Sequence, residues 1–452
     1  MKPIKKLLAG AAALLCLHAG TARAMDLADA YRAALANDPA SRAADYALVA
    51  GREKTVQGDA LLRPRINLEA GVTRIHNRQT GQAGQSVASA LMPDQSSGNA
   101  QQATVRLVQP LYDRAAQASR QQLREQTTLA GIQFTEARQA LALRVADAYF
   151  GVLVAEETLR VVQAEYTALS YQRDRAQARF DVGQDRITDV QEAQARLDAV
   201  STRAVTAMAT LEVRRAQFQE TTGMAPAGLA PLSAHFVPLP PEPANLADWQ
   251  VRGESHSTVV LAQRSALNIA DAELSKNRLA ARPTLDLVGS VGAQHQSGNL
   301  SPLMAPNGAR TASGGLLLTV PLYAGGALDS RQRETVARVA QGEQELLAAQ
   351  RDVRLKVQEG FLAVLTGVSR IASQEQALSS ARSALEATSQ GRDVGSRTAL
   401  DVLDAQQRYF DAELELVQGR VEYLQGRLRL AAAAGDLDES RLRELGPWLA
   451  AR

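Results

Sequence analysis

Four stretches of this chain contain no proline: residues 113–181, 184–222, 327–392 and 396–434. Proline removes a backbone N–H and clashes with the preceding turn, so its absence leaves each stretch free to form one unbroken helix. Composition agrees, because Ala, Gln, Leu and Arg dominate while aromatic residues make up only 4%, a mix that suits long helices better than a compact mixed core. At 1.5 Å per residue, 113–181 and 327–392 would each run about 100 Å, and 184–222 and 396–434 about 58 Å. A compact soluble domain has no use for a helix that long.

The prolines that do occur punctuate the rest. Helical patterns over 27–62 and 258–281 stop before Pro64 and Pro283, since proline bars the residue ahead of it from the α region. After each stop the period becomes two. Ile66, Leu68, Ala70 and Val72 alternate with Asn67, Glu69, Gly71 and Thr73; Leu285, Leu287, Gly289 and Val291 alternate with Asp286, Val288, Ser290 and Gly292. Returning strands carry Val105 and Leu107 around Arg106, then Leu316, Leu318 and Val320 around Thr319. Two β-hairpins are predicted, about 65–109 and 284–320, with polar loops over roughly 76–101 and 294–312. Pro110 and Pro321 end the ladders in "QPLYDRAAQASR" and "VPLYAGGALDSR", where a missing N–H is tolerated and φ is already set for a helix start.

The chain then repeats itself. "RFDVGQDRITDVQEAQARL" from residue 179 matches "GRDVGSRTALDVLDAQQRY" from residue 391, an offset of 212 (391 minus 179). Val190, Leu197, Ala204, Leu211 and Phe218 recur every seventh residue, as do Val402, Tyr409, Leu416, Tyr423 and Leu430. A strict seven-residue seam marks helices packed knobs-into-holes along their length. The layout is therefore a first repeat over 25–222, a Pro-rich linker over 223–244, a second repeat over 245–435, and a C-terminal segment over 436–452. Each repeat goes up a short helix, across a hairpin, down a long helix and back along a medium one, with turns at Gly183 and Gly395. Four strands cannot close a barrel, for which about eight are the minimum. The chain must oligomerise, to eight strands as a dimer or twelve as a trimer, and a water-filled lumen favours twelve.

Residues 1–24 are a separate object. Lys2, Lys5 and Lys6 precede the apolar run Leu7 to Leu17, and Ala22-Arg23-Ala24 supplies a cleavage site, the pattern of a secretory signal peptide. The one cysteine, Cys16, lies inside it behind Leu15; lipidation wants a small residue there and is not expected. The remaining chain would hold neither disulfide nor thiolate chemistry. Removing the signal's four basic residues takes 50 basic against 48 acidic to 46 against 48, a net of −2, which argues against a nucleic-acid partner. No later apolar run approaches the ~18 residues of a membrane helix, so any membrane passage must be by closed β-barrel.

The paired junctions "LRPRINL" and "ARPTLDL", the "PLY" corners, "FDVGQDRITDVQ" and above all "VGSRTALDVLDA" resemble the TolC-type outer-membrane channels, over essentially the whole chain after residue 24. The resemblance implies a mostly α protein with a small β part: a homotrimer whose twelve-stranded barrel in outer-membrane lipid continues into a periplasmic α-helical tunnel. It implies an exit duct for type I secretion or multidrug efflux, opened by docking with a periplasmic adaptor and an inner-membrane transporter. By position, Asp401 and Asp404 match aspartates that ring the narrow periplasmic entrance. Thr188, Asp189 and Arg397 match positions that lock neighbouring helix pairs shut. Arg392 stands where the family's best-known member has a lock tyrosine, and a salt bridge to Asp189 is the expected replacement. Val182, Gly183, Val394, Gly395 and Ser396 form the tips where an adaptor would bind.

Plainer readings of the same residues stand beside these. Asp401 and Asp404 share a helix face, and carboxylates gathered around an axis attract cations; Thr398 as a helix cap followed by first-turn acids explains them equally. Glycine is needed at a tight interhelical turn whatever it touches. Arg106, Glu69 and Asp286 would face a lumen while Ile66, Leu68, Leu285 and Leu287 face lipid, although a half-buried soluble sheet alternates in the same way. His76, His235, His256 and His295 show no metal spacing, and "YAGGA" lacks the GK[ST] of a P-loop. No catalytic, cofactor-binding or metal-binding residue is expected. The competing reading is a periplasmic coiled-coil adaptor or spacer, which accounts for the helices but not for the two hairpins.

Overall fold

The computed structural model describes residues 25–78, 95–300 and 307–449. The expected signal peptide with Cys16 lies outside the described residues. The described residues fall into two compact units: those within Met1–Ala47, Ile132–Ala262 and Leu347–Arg452 form the first, those within Leu48–Gly131 and Gln263–Leu346 the second.

The order of elements is α1 (Leu27–Asn37), α2 (Pro39–Ala60), β1 (Arg65–Arg78), β2 (Gln95–Tyr112), α3 (Arg114–Asp181), α4 (Ile187–Thr222), α5 (Leu246–His256), α6 (Thr258–Leu279), β3 (Thr284–Gly298), β4 (Asn307–Thr319), α7 (Ala327–Asp393), α8 (Ala399–Ala433) and α9 (Glu439–Arg443), with a 3₁₀ turn at Gly446–Trp448. Helix, hairpin, long helix and shorter helix thus follow one another twice. All four proline-free stretches are helical, with α3 at 68 residues and α7 at 67.

Four expectations need correction. The helix expected over 27–62 is two helices, because Pro39 holds Asp38 in an extended conformation (ψ 121°). Asp38 then caps α2 by accepting from the Ser41 N–H at 2.9 Å. The loops expected over 76–101 and 294–312 are much shorter, since β1 runs to Arg78, β2 begins at Gln95, β3 ends at Gly298 and β4 begins at Asn307. Pro110 does not end its ladder: it pairs with Asp286, and the register shifts between Pro110 and Tyr112. Helix α5 was missed altogether. Its Trp249 donates an indole N–H to Pro243 O at 2.8 Å, anchoring the Pro-rich segment that precedes it.

In the second unit the strands form one antiparallel sheet in the order β1-β2-β3-β4, which leaves β1 and β4 as edges. Register sorts the side chains into two faces. Ile66 and Leu107 pair on one face, and Leu68, Val105, Val291 and Ala312 form the row beside them. Asn67, Arg106, Ser290 and Ser313, then Glu69, Thr104, Gly292 and Thr311, line the other. Asp286 shares the face of Arg106 and Glu69. Ile66, Leu68, Val72, Val291, Leu316 and Leu318 are 63–73% exposed, an apolar face that a chain does not leave to water. Below the sheet α2 meets α3 through glycine. A Cβ at Gly51 would strike Ala130 Cβ at 2.3 Å, and one at Gly58 would meet Arg120 O at 3.3 Å. Arg120 also grips Asp59 at 2.6 Å.

In the first unit the seven-residue seams are buried, with Val190, Leu197, Leu211 and Phe218 on α4 and Val402, Leu416, Tyr423 and Leu430 on α8. Helices α7 and α8 approach closely. A Cβ at Gly360 would meet Leu430 Cα at 3.1 Å, and one at Gly367 would meet Tyr423 Cδ2 at 3.1 Å. On α8, Gly419 faces Gln374 and Gly426 faces Ala363. Aromatic side chains fix the non-helical chain to this bundle. Tyr149 Oη lies 3.0 Å from both Met25 O and Ala230 O. Tyr423 Oη donates to Leu239 O at 2.7 Å, and Trp448 Nε1 to Val237 O at 2.7 Å.

Candidate functional site

Two helix-to-helix turns in the first unit concentrate charge. Gly183 and Gly395 take φ of 74° and 77°, the left-handed region that closes a helix and that a Cβ disfavours. Gln184 N–H donates to Arg179 O and Ser396 N–H to Gly391 O, each at 2.8 Å. The apolar tips point outward, with Val182 68% and Val394 80% exposed.

The helices that leave these turns start differently. At α8, Thr398 Oγ1 accepts from Asp401 N–H at 3.2 Å, while Asp401 Oδ2 accepts from Thr398 N–H at 2.8 Å and from its hydroxyl at 2.9 Å. This is the capping box that satisfies otherwise unpaired N–H groups. Those hydrogen bonds, the backbone one first, hold the Asp401 carboxyl below the usual carboxylate range. At α4 the cap position is Arg186, which offers no side-chain acceptor; Asp189 Oδ2 accepts from the Arg186 N–H at 3.4 Å.

Arginines tie the two helical hairpins, α3–α4 and α7–α8, together. Arg392, with its side chain 6% exposed, donates to Asp185 Oδ2 and Gln172 Oε1, each at 3.1 Å. Asp185 also meets Arg179 at 3.3 Å, and Arg175 pairs with Asp393. Further along the helices, Arg196 of α4 donates to Asp404 Oδ1 of α8 at 2.6 Å, to Glu192 Oε1 at 3.1 Å and to Gln407 Oε1 at 3.4 Å. Deeper still, Arg203 holds the buried Glu165 at 2.5 Å. Burial pushes the Glu165 carboxyl up, against the pull of Arg203.

The sequence-predicted residues thus gather around the turns, with three differences. Within one chain Arg392 pairs with Asp185, two residues beyond the Gly183 turn, and Asp189 serves its own helix. Asp401 and Asp404 are not equivalent: Asp401 is bound to its helix N-terminus, Asp404 to an arginine. Thr188 and Arg397 are exposed at the turns, Arg397 donating its backbone N–H to Gly391 O at 3.2 Å. Sequence reading missed Asp185 and Arg196. For Arg196 a signal existed, because it lies four residues after Glu192 and 212 before Arg408.

Comparison with known proteins agrees with this architecture. A family described as "Outer membrane efflux protein" matches residues 30–223 and 254–436. The outer membrane protein TolC of Vibrio cholerae is 30% identical over 426 residues, covering 94% of both chains. The proteases secretion protein PrtF of Dickeya chrysanthemi is 29% identical over 438 residues, covering 96% of this chain and 93% of PrtF. Among solved structures, a membrane protein from Pseudomonas aeruginosa shares the fold with a TM-score of 0.78 over 92% of each chain, at 19% identity. The outer membrane protein VceC of Vibrio cholerae does so with a TM-score of 0.75, over 90% of this chain and 96% of its own, at 18% identity. With a matching family over most of its length and a full-length relative at this identity, the chain belongs to the outer membrane efflux protein family.

Proposed function

We propose that three copies of this chain build one passive duct through the outer membrane, serving type I protein secretion or efflux. A protein of this family resides in the outer membrane, and PrtF is by name a secretion protein. The observation that carries the reading is the sheet, whose apolar face is exposed and whose two edge strands are free. Pairing β4 of each copy with β1 of the next gives twelve strands, satisfies every edge, and turns the apolar face to lipid and the Arg106 face to a watery lumen. A coiled-coil spacer has no use for such a sheet. The duct catalyses nothing; its work is to open.

In this reading the turns near Gly183 and Gly395 form the periplasmic end. Asp401 and Asp404 from three copies surround the constriction and favour cations. Thr188, Asp189, Arg392 and Arg397 hold it shut, with Asp185 as the intrachain partner of Arg392. Val182, Gly183, Val394, Gly395 and Ser396 meet a periplasmic adaptor, which brings an inner-membrane transporter. Purified protein in planar bilayers should show small, cation-selective conductance, and outer membranes should yield heat-modifiable trimers. Selectivity unchanged by Asp401→Asn and Asp404→Asn together would remove the aspartate ring; a soluble periplasmic monomer would sink the duct. Co-purification of an adaptor with the tips intact, and its loss on Val394→Asp, tests the docking assignment.

A further inference from the structure

The Arg196–Asp404 bridge has a second edition in the sequence that one chain does not use. Glu192 and Asp404 are counterparts at the repeat offset (404 minus 192 is 212), and so are Arg196 and Arg408 (408 minus 196 is 212). In the structure Arg196 of α4 reaches across to Asp404 of α8 at 2.6 Å. The mirrored contact would join Arg408 of α8 to Glu192 of α4. Among the described residues Arg408 forms no salt bridge within its own chain and is exposed, its charge acting there on Asp401 of the same helix. The Glu192 side chain is 47% exposed and, among the described residues, shares its carboxylate only with Arg196. Residues four apart on a helix are rotated by about 40°, so Asp404 and Arg408 lie on one face of α8. Glu192 and Arg196 share one face of α4 in the same way. Glu192 and Arg408, the two members of the mirrored pair, are both exposed and carry opposite charges.

We propose that Arg408 of one copy binds Glu192 of a second copy, so that the bridge made once inside each chain is repeated once between chains around the ring. This rests on the three-copy reading above. The occupant is a second copy, argued from charge complementarity and from the repeat itself: in a ring of duplicated chains the α4–α8 contact inside one chain is followed by an α8–α4 contact with the next. Where Arg196 also has Gln407, Arg408 finds Ala195, the residue 212 before Gln407. The interchain bridge therefore keeps the ion pair and lacks the amide hydrogen bond, which makes it the weaker of the two and the first to part when neighbouring hairpins separate.

The test uses a Cys16→Ser background, because Cys16 is the chain's one cysteine. Arg408→Cys with Glu192→Cys, treated in outer membranes with a short bis-maleimide, should give a covalent trimer on denaturing gels. Arg196→Cys with Asp404→Cys should link within the chain and keep monomer mobility, and Arg408→Cys alone should not link. Monomer mobility for the first pair, while unheated samples run as trimers, overturns the proposal and leaves the three-copy reading standing. Unheated samples that run as monomers overturn both.

Discussion

At Gly183 and at Gly395 the backbone bends through nearly the same φ, and the turn closes with the same 2.8 Å hydrogen bond. Side chains placed on that shared backbone do different work. The Gly395 turn supplies Arg392, buried against the opposite hairpin, and starts α8 with a complete Thr398–Asp401 box. The Gly183 turn has Phe180 where its counterpart has Arg392 (392 minus 212) and Arg186 where its counterpart has Thr398. It contributes Asp185 as the receiving carboxylate. A repeated backbone fixes where the turns are, while divergence of a few side chains decides which turn reaches out and which receives.

The largest difference should appear at the matched positions Arg392 and Phe180. Arg392→Ala leaves Asp185 largely buried with only Arg179 beside it, and losing one partner of a buried pair costs about 3 kcal/mol. Single-channel conductance in planar bilayers should rise several-fold, as the hairpins lose this tie. Phe180→Ala, at a residue 37% exposed, should change it little. Equal effects at the two sites would erase the distinction between reaching and receiving turns.

The caps come next. Thr398→Ala should destabilise by about 1 kcal/mol, and Arg186→Ala by almost nothing. Arg186→Thr should bring the first turn close to the second by adding up to about 1 kcal/mol. Thermal unfolding in detergent, followed by circular dichroism, reads all three. A gain from Arg186→Thr is the sharpest outcome, because it transplants chemistry between turns that share a backbone.

A smaller effect concerns pH. The Asp401 carboxyl is held below its ordinary range by Thr398. Its capping contribution is therefore complete above the unfolded carboxylate value and disappears only as pH falls through the lowered folded value. Cation selectivity owed to Asp401 should persist into acid that neutralises ordinary carboxylates, and Thr398→Ala should move its loss to higher pH. A profile unaffected by Thr398→Ala would break the link between cap and charge. Smallest of all is the contrast between Gly183→Ala and Gly395→Ala. Both positions have positive φ and open space for a Cβ, so each should cost about 1 kcal/mol, and the two should agree in the same unfolding measurement.

What could be read from the sequence follows from where each signal lives. The long helices were legible because proline and glycine mark their ends, so α3 begins at Arg114 and α7 at Ala327, close to expectation. The two faces of the sheet were legible wherever apolar and polar residues alternate, as from Ile66 to Thr73. Further out they were not. Ser96, Ser97, Gly98 and Asn99 pair with β1, but both faces there are polar and period-two alternation disappears. The break at Asp38 was hidden by an otherwise helical pattern on either side. At the candidate site, capping by Thr398 lay within one helical turn and could be anticipated. Arg392 and Asp185 are 207 residues apart, and nothing local distinguishes Asp185 from Asp189 as the partner; only the packing of one hairpin on the other does.

The glycines between α7 and α8 also limit how those helices can move. Gly360 and Gly367 receive Leu430 and Tyr423, and the spacing of seven on both sides repeats about every 10.5 Å along the axis. A shorter axial slide would carry Leu430 or Tyr423 from a glycine toward a residue with a Cβ, so intermediate registers are disfavoured by close contact. Gradual slip within the pair is therefore opposed. A force applied at Val394 must swing both helices together, and displacement at the turn is transmitted along the pair as by a rigid lever rather than absorbed by shear between its members.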